Sequence, residues 1–537
     1  MLPHASLEHD PVSFRWELTK LEKLFRKSWL FTWQLRGENP VLPLVTLSDP
    51  WRGTEKNGTP VSEHPNAENM ADPSYHSFEW IRDVREAGGT AGRGLVRTHL
   101  TYWMTQNRSW SAVSWRPDII GKRLSTLLFC YGWFGDSADE SFQTALAASL
   151  ALQARCLALD WQRMPTGIAQ LSALRGLIIA QAVFYKSARD VEALCNLIVP
   201  KVKFQLYQDG GHKSRQPEQH LEVMRIILEC RMALAHVGQI DFPIFDEIIP
   251  QMAAIAKIWR HGNGQFAQFN LAGSSSVDNI NEVLSRVNGR IRSIQHAPET
   301  GFSRLASGRN TLICDTGSSQ NAEANICAST SAFEFSVGSH MLIVNSGQTS
   351  PDRRLNTVLS QTAAHSTLTL DGLDNEAASR NRFASVIDCD VGPATGGSLI
   401  SLTHRGYERS HGLLHSRQLF LAMGGGNLRG QDKLTYTSAP GEIPSEAIIR
   451  FHLHPGVSAA MIGGGHILLK IRGQNAGWVF KSKGGRVSLD TSLYIDQGRR
   501  MSCQQIVVRS TADQIQTVGS LVAVSYTHLR AHETLLY

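Results

Sequence analysis

The sequence predicts an α+β protein: an α/α toroid-like helical domain followed by an antiparallel β-sandwich. Three observations carry that reading. From about Ser74 to Val287, apolar residues recur at helical spacing in segments separated by short polar breaks. From about Gly301 the period changes to two. Glycine-rich turns (Gly424-Gly-Gly-Asn, Gly463-Gly-Gly and Gly484-Gly) punctuate that second half. The 537 residues leave room for two to four domains at roughly 100–200 residues each.

Residues 1–70 are rich in Trp and Pro and read as an irregular segment packed on the helical domain. The helical domain spans 71–290. Its clearest segments are 121–130, 141–159, 167–186, 191–205, 218–236 and 245–259. So many similar helices in succession suggest an α/α array or toroid, not a parallel sheet with crossovers. The boundary falls near 288–300, and the sandwich spans 300–524. Strands are expected at 311–315, 332–337, 341–345, 366–370, 417–422, 448–454 and 466–472. Residues 525–537 break off a strand-like run at 514–524 in mid-pattern and resemble translated sequencing-adapter sequence. They are set aside as a non-native tail, with the natural C-terminus taken as lost.

Composition excludes several classes. Hydrophobic residues make up 42% and charged residues 19%, too apolar for intrinsic disorder. Mean hydropathy is -0.18, and no run of about 18 uncharged apolar residues stands out, so no membrane insertion is expected. The net charge of +6 is spread along the chain, without zinc-finger spacing or stacking motifs, which argues against nucleic acid. None of the 8 cysteines is paired as Cys-x-x-Cys, favouring neither a metal site nor a disulfide framework. No signal peptide is visible at the N-terminus. Oligomeric state is left open.

Three segments offer chemistry. Asp209-Gly-Gly-His212-Lys213-Ser-Arg215 joins two helical runs, and its paired glycines permit a tight loop. Spacing alone favours a plain helix start with a solvated basic turn. Ala364-His365-Ser-Thr opens an alternating strand, where a histidine can project into a cleft. His404-Arg405-Gly-Tyr407, with His411 and His415 following, gathers cations and a phenol in one hairpin-sized span. His452 and His454 share one strand face, but no carboxylate at ligand spacing follows, so no metal is expected.

These motifs together resemble the heparinase II/III family and, more loosely, alginate lyases. The resemblance rests on Asp209-Gly-Gly-His-x-Ser-Arg215 and Ala364-His-Ser-Thr-Leu-x-Leu-Asp-Gly372. Tyr75-His-Ser-Phe-Glu-Trp-Ile-Arg-Asp83, Trp115-Arg-Pro-Asp118, Gly430-Gln-Asp432 and Arg450-Phe-His-Leu-His-Pro455 support it. It covers about Phe14 to Val524. It implies a lyase that cleaves an acidic, uronic-acid-containing polysaccharide by β-elimination, without a cofactor. The removed proton lies α to a carboxylate, so the site needs a partner for that carboxylate, a base and an acid. The resemblance gives His212 the carboxylate-engaging position and His365 the acid–base position. Arg215, Lys213, Asn270, His404 and Arg405 are expected to bind substrate. The family's helical-domain tyrosine has no counterpart in His261-Gly-Asn-Gly-Gln-Phe266-Ala-Gln-Phe269-Asn270, so either Tyr407 supplies the phenol from the sandwich side, or a histidine does both jobs, or activity is lost. The resemblance also implies the cell envelope or periplasm, with the cytoplasm as the alternative. Two other functions stay open: a non-catalytic glycan-binding envelope protein, and a uronic-acid glycan hydrolase using Asp83, Asp118 or Asp209.

Overall fold

The computed structural model describes residues 18–511 together with the backbone of 525–532. Within that range it leaves out 43, 45–46, 54–61, 63, 240, 274, 318–326, 376–384, 438–442 and 475–476. The chain forms two compact units, Met1–Gln205 with Glu222–Ile249, and Leu206–Leu221 with Pro250–Tyr537. Strands begin near the expected boundary, but the units divide earlier, and the His212 loop belongs with the sandwich.

The first unit is helical, as the periodicity predicts. Its long helices are Gly89–Gln106, Pro117–Phe134, Glu140–Asp160, Ile168–Phe184 and Ala188–Gln205. Pro117 opens its helix at a position where a missing N–H costs nothing. The Asp139 side chain caps the next helix by accepting from Phe142 N at 2.9 Å. Ile120, Leu124 and Leu128 of one helix, and Leu171, Leu174 and Ile178 of another, are fully enclosed. Each such side chain contributes about 1.5–3 kcal/mol by burial. The N-terminal segment, expected to be irregular, contains the short helices Lys20–Arg26 and Trp29–Gln34. Arg26 ties it down through a buried ion pair with Asp160. One stretch, Glu140–Arg163, is long and apolar enough to cross a membrane by length and composition, and 44% of its 18-residue apolar window is buried in the structure.

The second unit carries two antiparallel sheets. In chain order the strands are β1 (His296–Ala297), β2 (Phe302–Ser307), β3 (Asn310–Asp315), β4 (Phe333–Val337), β5 (His340–Val344) and β6 (Leu368–Leu370). Then follow β7 (Val386–Ala394), β8 (Gly397–Tyr407), β9 (Leu413–Ala422), β10 (Asn427–Tyr436), β11 (Glu446–Leu453) and β12 (Val457–Ile462). The last are β13 (His466–Ile471), β14 (Gly477–Lys483), β15 (Arg486–Asp496), β16 (Arg499–Thr511) and β17 (Ser525–His532). One sheet runs β1-β2-β3-β4-β5-β11-β16-β15, with β6 on β11. The other runs β12-β13-β14-β17-β10-β9-β8-β7. Phe335 meets Trp478 at 5.5 Å and Phe451 meets Phe480 at 5.3 Å, so rings from both sheets close one core. The backbone of Ser525–His532, set aside as tail in the sequence, pairs between β10 and β14. The strand-like run at 514–524 lies outside the described residues.

Candidate active site

The His212 loop is shaped by its glycines. Tyr207 N donates to Gly211 O at 2.8 Å, closing a turn that brackets Gly210, whose φ is +92°. A Cβ on Gly211 would fall 1.8 Å from Thr300 Oγ1, so only glycine fits there. Asp209 accepts from Thr300 N at 2.7 Å and Oγ1 at 2.5 Å, and from Gly211 N at 3.1 Å. That carboxylate holds the loop, which removes it from the hydrolase alternative. Asp118 of that alternative is paired with Arg116 at 2.6 Å.

His212 is almost fully buried, at 1% exposure. Ser214 N–H donates to its Nδ1 at 3.2 Å, and the Ser214 hydroxyl lies 2.7 Å from the same nitrogen. Nδ1 therefore accepts, and the ring proton sits on Nε2. Burial pushes the imidazole down to about 3, so the ring is a neutral donor at physiological pH.

Arg215 was expected to face substrate, and the structure corrects this. The side chain is 2% exposed, with its guanidinium 4.8 Å over Phe302. Nε donates to Thr300 O at 2.8 Å, and Nη2 donates to Gly301 O at 3.0 Å and to Asp315. Asp315 also accepts from Ser329 Oγ at 2.7 Å and Gly317 N at 3.1 Å. Asn270 is corrected likewise: it is buried, gives Nδ2 to Arg215 O at 3.1 Å and receives Cys327 N at 3.2 Å. Asn270 holds the loop's backbone at Arg215, and the Arg215 side chain anchors the loop to Thr300, Gly301 and Asp315. Lys213 is half-buried.

His365 ends the short turn Thr362–Ala364, just before β6. Its Nδ1–H donates to Gln361 O at 2.9 Å. The neutral ring therefore presents an unprotonated Nε2, the form a base needs. Burial holds its pKa below the usual histidine value, while Asp315, Asp374 and Glu334 oppose that shift. Ser366 fixes the backbone beside it: N donates to Asn345 Oδ1 at 3.1 Å, Oγ donates to Val344 O at 2.7 Å, and O accepts from Arg417 at 2.8 Å.

Glu334 on β4 is a centre that the sequence reading missed. Its carboxylate is buried and accepts from His261 Nε2 at 3.1 Å, Gln268 N at 3.2 Å, and Asn345 N and Nδ2 at 3.3 and 3.4 Å. It bears electrostatically on His365, His454 and Tyr494. Tyr494, on β15, is 5% exposed, and its phenol is held protonated by burial, with Glu334 adding to the effect and Gln268 opposing it. His452 spends both nitrogens, on Ser492 Oγ at 2.7 Å and Ala363 O at 3.1 Å. Near the His212 loop, burial pushes the Glu218 carboxyl up to about 8. The visible signal for Glu334 was a lone carboxylate between Phe333 and Phe335 in a core strand.

Tyr407 is also corrected. It is fully buried in the sandwich core and donates to Leu368 O at 2.6 Å. Burial raises its pKa, and desolvation outweighs the nearby cations Arg450 and Arg417. His404 is buried too. Gly406 N donates to its Nδ1 at 3.1 Å, its Nε2 donates to His415 Nδ1 at 2.9 Å, and His415 donates on to Asp432 at 2.8 Å. Arg405 pairs with Glu408 at 2.9 Å on the surface. Among the described residues no group of three or more His, Cys, Asp or Glu is arranged to hold a metal.

Comparison with known proteins gives a consistent picture. Residues 290–521 match the heparinase II/III-like C-terminal domain. A heparinase III gene product aligns over 94% of this chain and 88% of its own, with TM-score 0.67 at 14% identity. Heparan sulfate lyase HepC from Pedobacter heparinus aligns over 88% and 78%, with TM-score 0.62 at 15% identity. At those identities the likeness establishes the fold, a toroid with a sandwich. FtsZ-localized protein C of Caulobacter vibrioides is 26% identical over 456 residues, 81% of this chain and 78% of that protein.

Proposed function

We propose, from the match of residues 290–521 to the heparinase II/III-like C-terminal domain, that the chain is a polysaccharide lyase acting on a uronic-acid-containing acidic glycan. The observation that carries this is the pair of fixed tautomers, a donor Nε2–H on His212 and an acceptor Nε2 on His365. In the proposed reaction His212 donates to the uronate carboxylate and steadies the charge that develops there. His365 takes the proton α to that carboxylate. The bond to the leaving glycosidic oxygen then breaks, a double bond forms in the ring, and the oxygen takes a proton. Tyr494 or Glu218 supplies that proton, since burial keeps both protonated near neutrality. The proposed compartment is the cell envelope or periplasm.

The test is a panel of acidic polysaccharides read by the ultraviolet absorbance of unsaturated product. Growth of that absorbance on at least one glycan is expected. Binding of a glycan with no such product would instead favour a non-catalytic binder. Phe266 and Phe269, standing where the family carries its tyrosine, favour that second reading.

A further inference from the structure

The first helical unit exposes an unusual surface near its N-terminal end. Leu21 is 78% exposed, Leu24 66%, Trp29 73% and Trp33 59%, with Phe25 and Leu30 at 45% each. All six lie on the short helices Lys20–Arg26 and Trp29–Gln34 or within their turns. Scattered exposed apolar residues need no explanation, but a cluster this dense does.

The cluster is held rigidly. Phe31 and Leu35 are buried beneath it, Arg26 Nη2 donates to Asp160 at 2.6 Å, and Arg155 Nε donates to Leu35 O at 2.6 Å. Thr19 and Glu22 form a capping box at the first helix. The outward face is therefore a fixed feature of the fold.

Its chemistry selects the occupant. Lys20, Lys23 and Lys27 are exposed among the apolar residues. The acidic residue in the same helices, Glu22, is already paired with Arg163 at 2.8 Å. Protein–protein interface cores are depleted in lysine. Tryptophan, leucine and phenylalanine set among lysines instead match a helix lying in the headgroup region of an anionic bilayer. We propose that residues 20–34 form a peripheral docking surface for an anionic lipid bilayer. The rings enter the interface without spanning it, and the lysines meet the lipid phosphates. This inference is independent of the lyase reading.

The test is flotation of the full chain with vesicles of phosphatidylglycerol and phosphatidylcholine in a one-to-three ratio, against phosphatidylcholine alone. Binding to the anionic vesicles that weakens with added salt is expected. The Trp29→Ser, Trp33→Ser double variant should lose at least about tenfold in partitioning. The Lys20→Gln, Lys23→Gln, Lys27→Gln triple variant should lose roughly fivefold per lysine. Both should keep the parent melting temperature, because these side chains are exposed. Equal binding to both vesicle types, or binding unchanged in both variants, would overturn the proposal. So would absence of vesicle binding alongside self-association that the Trp variant abolishes, since the surface would then belong to a protein interface.

Discussion

The two candidate catalytic histidines are set apart by one hydrogen bond each. Ser214 N–H points at Nδ1 of His212, whereas Gln361 O accepts from Nδ1 of His365. His365→Gln should lower kcat by about 100-fold or more with little change in melting temperature. A loss under about tenfold would remove it as the base. Because burial depresses its pKa, activity should persist below pH 6.5 and fall only as the pH drops further. The two phenols divide between structure and chemistry. Tyr407→Phe strands the buried Leu368 carbonyl and should cost about 1–3 kcal/mol of stability while sparing turnover. Tyr494→Phe should cut turnover, and if it does not, Glu218→Gln should. Retained turnover in both variants would remove these two proton donors. His212 and His365 were legible because each sits in a compact motif. Tyr494 was not, because 226 positions separate it from Gln268 (494 − 268) and only sheet formation brings them together.

At the level of elements, period gave several helices almost to the residue, although the expected 121–130 runs over Pro117–Phe134 and Gly89–Gln106 was not singled out. The expected 141–159 is Glu140–Asp160, and 167–186 is Ile168–Phe184. Long amphipathic runs leave little choice of structure. Strands with mixed faces were harder. β15 reads Arg-Val-Ser-Leu-Asp-Thr-Ser-Leu-Tyr-Ile-Asp, and its polar positions hide the alternation. The loop 209–215 was found, but the job of its arginine was misjudged, since sequence shows a cation beside a histidine and not what the cation touches. Arg215 stands at φ +56°, buried against Asp315. Arg215→Met should therefore leave Asp315 uncompensated and cost about 3–5 kcal/mol, read as a lower urea midpoint. Adding Asp315→Leu should recover part of that loss, because removing both charges is far milder than removing one. A raised half-saturating substrate level with unchanged stability would restore Arg215 to the substrate's side.

The behaviour of the whole molecule with pH follows from how many histidines it buries without charge. His212 and His452 are held down to about 3 and His220 to about 4, in each case chiefly by desolvation. All three lie in the second unit and are at most 3% exposed. In the unfolded chain a histidine titrates near ~6.5. Between about pH 6.5 and the folded values, the unfolded state binds protons that the native state refuses. Stability must therefore rise with pH across that window and fall on acidification. Each of these histidines adds a slope of roughly 1.4 kcal/mol per pH unit once the unfolded form is protonated. Three together give roughly 4 kcal/mol per unit, against a total stability of about 5–15 kcal/mol. Asp432 works in the same direction at lower pH: Arg417 and His415 hold it to about 2, so its contribution is lost only as the pH falls from about 4 toward 2. The urea midpoint should thus be flat from pH 8 to about 7 and drop steeply between about 6 and 5. His452→Gln keeps a polar group near Ser492 and removes one titrating site, so it should shallow that drop by roughly 1.4 kcal/mol per pH unit. A midpoint that stays level down to pH 5 would mean that these imidazoles are protonated in the native state, and the tautomers assigned to the candidate site would fall with it.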